Sequence, residues 1–190
     1  METSTFIRPE KYSIAIHPSK EIIEDIKTMK EQLASEIGWY KSKNSIAHIT
    51  ICEFEATDDD LKKVYSELTQ ISAPISPLNV STKDFNLFPN GAFFIAIEED
   101  SKKSLRPLMK QYHNTLSVKT HHHSDTPHIT IGRGLNEEQL VCAQNLFKSY
   151  QKSFHCDCIV LRKFDPIVKQ FHVTEKFYFK SEPNSQLLLF

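Results

Sequence analysis

Four letters occur twice in this chain, and they limit what it can fold into more than any other feature. His-Ile-Thr-Ile stands at His48 to Ile51 and again at His128 to Ile131, 80 residues further on. Successive side chains of an extended strand point to opposite faces. Each copy therefore presents an imidazole and a hydroxyl to one side and anchors itself with two isoleucines on the other. One His-x-Thr triplet arises by chance in ordinary strands. Two identical copies in matching surroundings indicate a duplicated unit.

The surroundings do match. Tyr12 to Ile16 is a β-rich run ended by Pro18, and Ser19 is placed to cap a helix to Ile37 with Ile22, Ile26, Met29, Leu33 and Ile37 at helical spacing. Gly38 ends that helix. A polar-aromatic loop from Trp39 to Asn44 leads into the first histidine strand, Ile46 to Phe54. Asp58 to Asp60 cap a second helix carrying Leu61, Val64, Tyr65, Leu68 and Ile71, and a strand runs from Leu78 to Phe85. The order then repeats: Ala92 to Glu98 as a strand, whose Ile95-Ala96-Ile97 echoes Ile14-Ala15-Ile16, then a helix bearing Leu105, Leu108, Met109, Tyr112 and Leu116. Pro107 places the start of that helix near Ser104. Val118 to Pro127 is a loop, and His128 opens the second histidine strand. Asn136 with Gln139 forms a capping box for a helix with Leu140, Ala143, Phe147 and Tyr150. Phe154 to Leu161 reads as one strand, and Phe171 to Phe179 as another with Phe171, Val173, Phe177 and Phe179 on one face.

Each half thus reads strand, helix, histidine strand, helix, strand, with Pro89-Asn90-Gly91 as the seam. The expected architecture is α+β: one bilobal domain over residues 1–190, duplicated, with pseudo-two-fold symmetry and a central cleft lined by both motifs. Lobe 1 covers about 1–88, lobe 2 about 91–180, and a tail with an apolar Leu-Leu-Leu-Phe end completes the chain at 181–190.

Composition removes several alternatives. A 39% hydrophobic and 25% charged chain of 190 residues is globular rather than disordered. A formal net charge of −1 argues against broad wrapping of a nucleic-acid duplex, yet leaves room for a local basic pocket. No apolar run nears the roughly 20 residues a membrane helix needs, and Met1 to Glu10 carries no signal pattern. Four cysteines without a secretion signal point to reduced thiols in a cytoplasm. Cys156 and Cys158 alternate on the expected strand and face one side as buried core thiols.

Two imidazoles facing each other across a cleft can be general base and general acid in one turnover, because their ordinary pKa near 6.5 allows either form at neutral pH. Two hydroxyls beside them can bind the non-bridging oxygens of a phosphate and hold charge that builds there. Together they make a toolkit for phosphodiester cleavage without a metal. The plain alternative is a pair of core strands with structural histidines.

The paired His-x-Thr-x motifs in a duplicated α+β chain resemble the two-histidine (2H) phosphoesterase superfamily, in the branch of 2′-5′ RNA ligase-like proteins, also described as RNA 2′,3′-cyclic phosphodiesterases. The similarity covers Tyr12 to Phe179. It implies a bilobal fold, no cofactor and no metal, hydrolysis of 2′,3′-cyclic phosphate ends of RNA or small nucleotides, and a 2′-5′ ligase activity. It implies that His48 and His128 are the catalytic histidines and Thr50 and Thr130 the phosphate-binding hydroxyls. By the same resemblance His128 is base and His48 acid, an order the sequence leaves reversible. Arg133 matches a basic residue of the RNA-acting branch; the corresponding position after His48 is Glu53.

Further candidates are weaker. Lys41 and Lys43 are placed to neutralise a phosphate, and Trp39 and Tyr40 to stack on a base or to cover the helix end. Tyr12 and Phe88 are expected mainly in the core, with the cleft as the alternative. His121, His122 and His123 read as a flexible loop with incidental metal affinity; the alternatives are a divalent-metal site shared with His113 and a loop closing over substrate. The rival functions are 2′-5′ bond ligation or cleavage by the same groups, and a nucleotide-binding module without turnover. No membrane and no obligate protein partner are expected.

Overall fold

A computed structural model describes residues 8–183; residues 1–7 and 184–190, with the apolar Leu187 to Phe190 end, lie outside them. The first half begins with β1 (Glu10–Ile16), α1 (Lys20–Ile37), β2 (Ile49–Ala56) and α2 (Asp58–Ser72). Ser19 caps α1 by accepting from the Ile22 N–H, and Gly38, at φ 75°, ends it. The cap of α2 is Thr57 rather than the aspartates. Its hydroxyl accepts from Asp60 N–H while the Asp60 carboxylate reaches back to the Thr57 N–H, a complete capping box.

The chain continues with β3 (Leu78–Phe88), β4 (Ala92–Ile97), α3 (Glu99–Thr115), β5 (Thr120–His121), β6 (His128–Gly132), α4 (Glu137–Leu146), β7 (Ser153–Cys156), β8 (Cys158–Asp165) and β9 (Gln170–Tyr178). The capping box of Asn136 and Gln139 forms as the sequence predicts. Helix α3 does not wait for Ser104: it starts at Glu99 and carries Pro107 inside it. Pro107 lies on the exposed face, while Ser101, Leu105, Leu108, Met109 and Tyr112 are buried. Packing of that face outweighs the hydrogen bond the proline cannot donate.

The strands form two antiparallel sheets, ordered β5-β2-β1-β8-β9 and β6-β4-β3-β7. The sheets do not follow the halves of the sequence. β3, read with the first half, pairs with β4 and β7 of the second sheet, and β8 and β9 return to the first. The seam expected at Pro89-Asn90-Gly91 is the turn of the β3–β4 hairpin, where Gly91 has φ 77° and a Cβ would collide with the Leu135 carbonyl. The expected strand from Phe154 to Leu161 is broken at Asp157, where the chain leaves one sheet for the other. Cys156 and Cys158 therefore do not share one strand face: the first is buried in β7, the second half-buried at the start of β8.

The crossover helices bind the sheets together. Helix α1, which joins β1 to β2, packs on β6 and α4, and α3, which joins β4 to β5, packs on β2 and β3. One apolar cluster runs through both sheets, from Ile14, Phe54 and Leu161 to Phe93, Ile95 and Ile129. Among the described residues no helix is long and apolar enough to cross a membrane.

Two bulges redirect side chains. Opposite Ile14 and Ala15 the register of β2 shifts by one residue, so that Ile51 and Cys52 are both buried and Glu53 returns to the face of Thr50. In β9 a second shift lies between the partners of Leu161 and Arg162. It breaks the alternation expected from Phe171 to Phe179: the Phe171 ring lies beneath the Arg162 guanidinium, while Phe177 packs on Tyr65 of α2.

Candidate active site

The motif strands sit as their alternation predicts. Ile49, Ile51, Ile129 and Ile131 are fully buried, while His48, Thr50, His128 and Thr130 are half-buried on the opposite face. β2 and β6 belong to different sheets and pack against each other. The loop before β2 fastens them: Arg133 N–H donates to the Lys41 carbonyl at 3.2 Å, and Ser42 Oγ donates to the Ile131 carbonyl at 3.3 Å.

The two imidazoles are held in the same way. Nδ1 of His48 lies 2.6 Å from the Ile46 carbonyl, and Nδ1 of His128 lies 2.6 Å from the Thr126 carbonyl. A carbonyl only accepts, so Nδ1 carries the proton in both rings and Nε2 is the nitrogen left for chemistry. Each ring is thus fixed by the backbone two residues ahead of it, once per motif.

Both histidines are held below the ordinary value. Burial is the first cause at His48, followed by the charge of Arg162, and the pKa falls well below 6.5. At His128 burial again leads; the Thr126 carbonyl opposes it and the charge of Arg133 adds to it. Edge-on packing by Phe88, with ring centroids 5.0 Å apart, and a tilted contact with Phe94 at 5.0 Å make that wall apolar. Phe88, expected mainly in the core, is therefore a wall of the site. Tyr12 is in the core, stacked on Phe54.

Two residues that sequence reasoning missed complete the first wall. Arg162 is 3% exposed, its Nη2 donates to Ser13 Oγ at 2.8 Å, and its Nε has no partner among the described residues. Glu53, Ser13 and Arg162 stand opposite one another on β2, β1 and β8, in one row across the sheet. His17, at the end of β1, lies with its ring centroid 6.4 Å from that of His48. Its Nε2 is also buried without a partner among the described residues, and burial and Arg162 push its pKa down to about 4. A buried guanidinium with no carboxylate in contact is costly to keep, and an anion beside it relieves the cost. The signal in the sequence, an arginine between Leu161 and Phe164 in an apolar strand, gains meaning only once β8 is known to lie beside β1.

The loop candidates divide. Tyr40 is 4% exposed and its hydroxyl donates to the Lys30 carbonyl at 3.1 Å, so its ring is part of the core and is not placed to stack on a ligand. Trp39 is 73% exposed. Lys43 lines a pocket of about 270 Å³ with Lys27 and Lys30, on the α1 side of the loop; none of the motif residues lines it. Lys41 contributes its carbonyl to Arg133. Lys30 is a further residue the sequence reading passed over: it is 2% exposed and its ammonium donates to the Ser42 carbonyl, the Ser45 carbonyl and Ser45 Oγ.

Comparison with known proteins gives the family and the fold. Residues 17–166 match the 2′-5′ RNA ligase superfamily. The chain belongs to that family. It is 28% identical over 126 residues, 66% of this chain and 70% of the other, to a protein of Geobacillus sp. (strain WCH70) whose name proposes a phosphoesterase. A relative in Geobacillus kaustophilus (strain HTA426), similarly named, is 29% identical over the same length. The fold is that of E. coli LigT in apo form, at 14% identity and a TM-score of 0.65, covering 90% of this chain and 98% of LigT. TT0787 of Thermus thermophilus shares it at 14% identity and a TM-score of 0.63, covering 91% and 100%. LigT has also been solved in complex with 3′-AMP, and that structure aligns with a TM-score of 0.64 at 12% identity.

Proposed function

We propose that this superfamily member hydrolyses 2′,3′-cyclic phosphate ends of RNA or of small nucleotides, without a metal in the reaction, and does so in the cytoplasm. The observation that carries the reading is the matched pair of imidazoles, each fixed through Nδ1 to a carbonyl two residues ahead and each keeping Nε2 for proton transfer. Thr50 and Thr130 stand on the same faces as the histidines and supply hydroxyls for the non-bridging oxygens. Arg162 and Arg133 add positive charge on the two sides, whose effect reaches His48 and His128 respectively. LigT, with the same fold, has been captured with 3′-AMP, a nucleotide bearing one of the two phosphate positions such hydrolysis yields. Four free thiols, two of them buried, suit a reducing compartment.

The electrostatics favour one order of roles. His48 feels Arg162, Lys30 and His17, all of which oppose its protonation. His48 is the better candidate for the neutral base that activates water. A carbonyl opposes the downward shift at both rings, but His128 has the Arg133 charge alone set against its protonation, which makes it the better acid for the leaving oxygen. This reverses the order that the family resemblance implies. The same groups can run 2′-5′ bond formation backwards from cleavage, so ligation remains the second reading.

The test is direct. Incubation with the four nucleoside 2′,3′-cyclic phosphates, and with short RNAs bearing that end, should give phosphomonoester product. EDTA should leave the rate within a factor of about two, since no Lewis acid is removed from the reaction. Tight nucleotide binding with no product from any of these substrates would leave the chain a binding module.

A further inference from the structure

Beside the first motif, metal-ligating side chains gather at the free edge of the first sheet. β5 runs antiparallel to β2, with His121 opposite Glu53 and Thr120 opposite Phe54. One carboxylate oxygen of Glu53 and one ring nitrogen each of His121 and His122 lie within 4.8 Å of one another. We propose that Glu53, His121 and His122 bind a single divalent cation of the zinc class, which clips the segment leading into the second motif onto the strand that carries the first.

The donor set selects the ion. Two imidazoles and one carboxylate suit zinc, cobalt or nickel, and three protein ligands leave a tetrahedral ion one position for water. Magnesium and calcium prefer oxygen shells and gain little from two nitrogens. The backbone supports the same reading. Adjacent residues of an extended strand point to opposite faces, so His121 and His122 cannot share an ion while both are extended. His122 has φ 50°, in the left-handed region that side chains other than glycine enter at a cost. That turn brings the second ring beside the first, with centroids 5.2 Å apart.

The third histidine of the run is engaged elsewhere. His123 Nε2 is 2.6 Å from Thr120 Oγ1, and its ring stacks at 4.3 Å on His113, which in turn contacts the Ile51 carbonyl through Nε2. Those two rings brace the loop against β2 and are not ligands.

The clip would act on both motifs without entering the reaction. The chain from His122 to Thr126 is short, and the Thr126 carbonyl holds Nδ1 of His128. The ion thus steadies the loop ahead of the second motif, and its removal should leave the rate within the factor of about two expected under EDTA.

Binding itself tests this, independently of whether the chain is a phosphodiesterase. Full-length protein stripped with EDTA and dialysed is titrated calorimetrically with ZnCl₂, beside Glu53→Gln, His121→Ala, His122→Ala and His123→Ala, each checked for folding by circular dichroism. The expected result is one zinc ion per chain. Its affinity should fall at least about tenfold in the first three variants, since even groups one step behind ligands are worth that much. His123→Ala should bind as the parent does, and MgCl₂ should give no saturable binding. The proposal is overturned by weak binding of several ions, by Glu53→Gln and His121→Ala binding zinc like the parent, or by loss confined to His123→Ala.

Discussion

At the scale of single residues, the site combines two fixed imidazoles with positive charge that has no carboxylate in contact among the described residues. General acid–base assistance by one histidine is worth roughly 10²–10⁴ in rate. His48→Ala and His128→Ala should each lose activity on that scale, and the double variant should be far less than multiplicatively worse if, as proposed, both act in one proton-transfer cycle. Thr50→Ala or Thr130→Ala should cost about 1.5–3 kcal/mol, the worth of a hydrogen bond to a charged group. The pH profile carries more detail. Both histidines of the free protein titrate below 6.5, so kcat/KM, which reports the free enzyme, should peak on the acid side of that value. A bound phosphate anion raises both pKa values, and the kcat optimum should lie at higher pH. Steady-state kinetics between pH 4 and 8 measure both. Coincident optima, or a flat profile, would contradict two histidines depressed by burial and nearby cations.

At the scale of elements, Lys30 shows how a helix positions the first histidine strand. It stands four residues after Ile26 on the buried stripe of α1, and its three donors reach the Ser42 carbonyl, the Ser45 carbonyl and Ser45 Oγ. Burial and the charge of Arg133 bring its pKa down to about 7. Ser42, at φ 72°, holds a conformation that needs such support. The same loop ends at Ile46, whose carbonyl fixes His48. Lys30→Met keeps the length of the side chain and removes the three bonds. It should lower stability by about 1.5–3 kcal/mol and kcat by up to about 100-fold, readable by urea titration and by turnover of the folded variant. Unchanged kcat would make Lys30 a purely structural lysine. Local signals in the sequence reach this level well: the Ser19 cap, the Asn136–Gln139 box and the alternation of the motif strands all follow from neighbours in the chain. What depends on distant partners is not legible there. A β-rich run does not say which sheet it joins, so order alone places β3 and β8 in the wrong ones. Bulges that turn Cys52 inward and separate Phe171 from Phe177 leave no mark in an alternating pattern. Arg162 and Lys30 stay hidden because a charged residue on an apolar face is read as an exposed one.

At the scale of the molecule, the exchange of strands between sheets and the crossing of α1 and α3 make the pairing of the two motif strands depend on both halves of the chain. Helix α1 is tied to the far side by Lys152, whose ammonium meets Glu21 and Asp25, and by the Tyr150 hydroxyl, which donates to Asp25. Anything that unfolds one wall therefore dissolves the other, and stability can be read as one quantity. Between about pH 4 and 6.5 its dependence on pH is set by buried histidines. His17 has a folded pKa of about 4 against an ordinary value of 6.5, with burial the main cause and Arg162 the second. The unfolded chain takes up its proton as pH falls through 6.5, and the folded chain does not until about pH 4. Stability is therefore greatest above 6.5, falls across that window, and has lost this residue's full contribution of about 3 kcal/mol near pH 4. His48 and His128 shift in the same direction and add to the slope. Asp25, held below its ordinary value by Lys152, loses its share only at lower pH. Urea unfolding of the parent chain at pH 7, 5.5 and 4.5 should show a steep decline. In His17→Phe, which fills the site with a ring that takes no proton, the decline should be shallower by up to one proton's worth of slope. Parallel curves for the two proteins would mean that His17 is not buried neutral in the folded state, and that the floor beneath His48 is open to water.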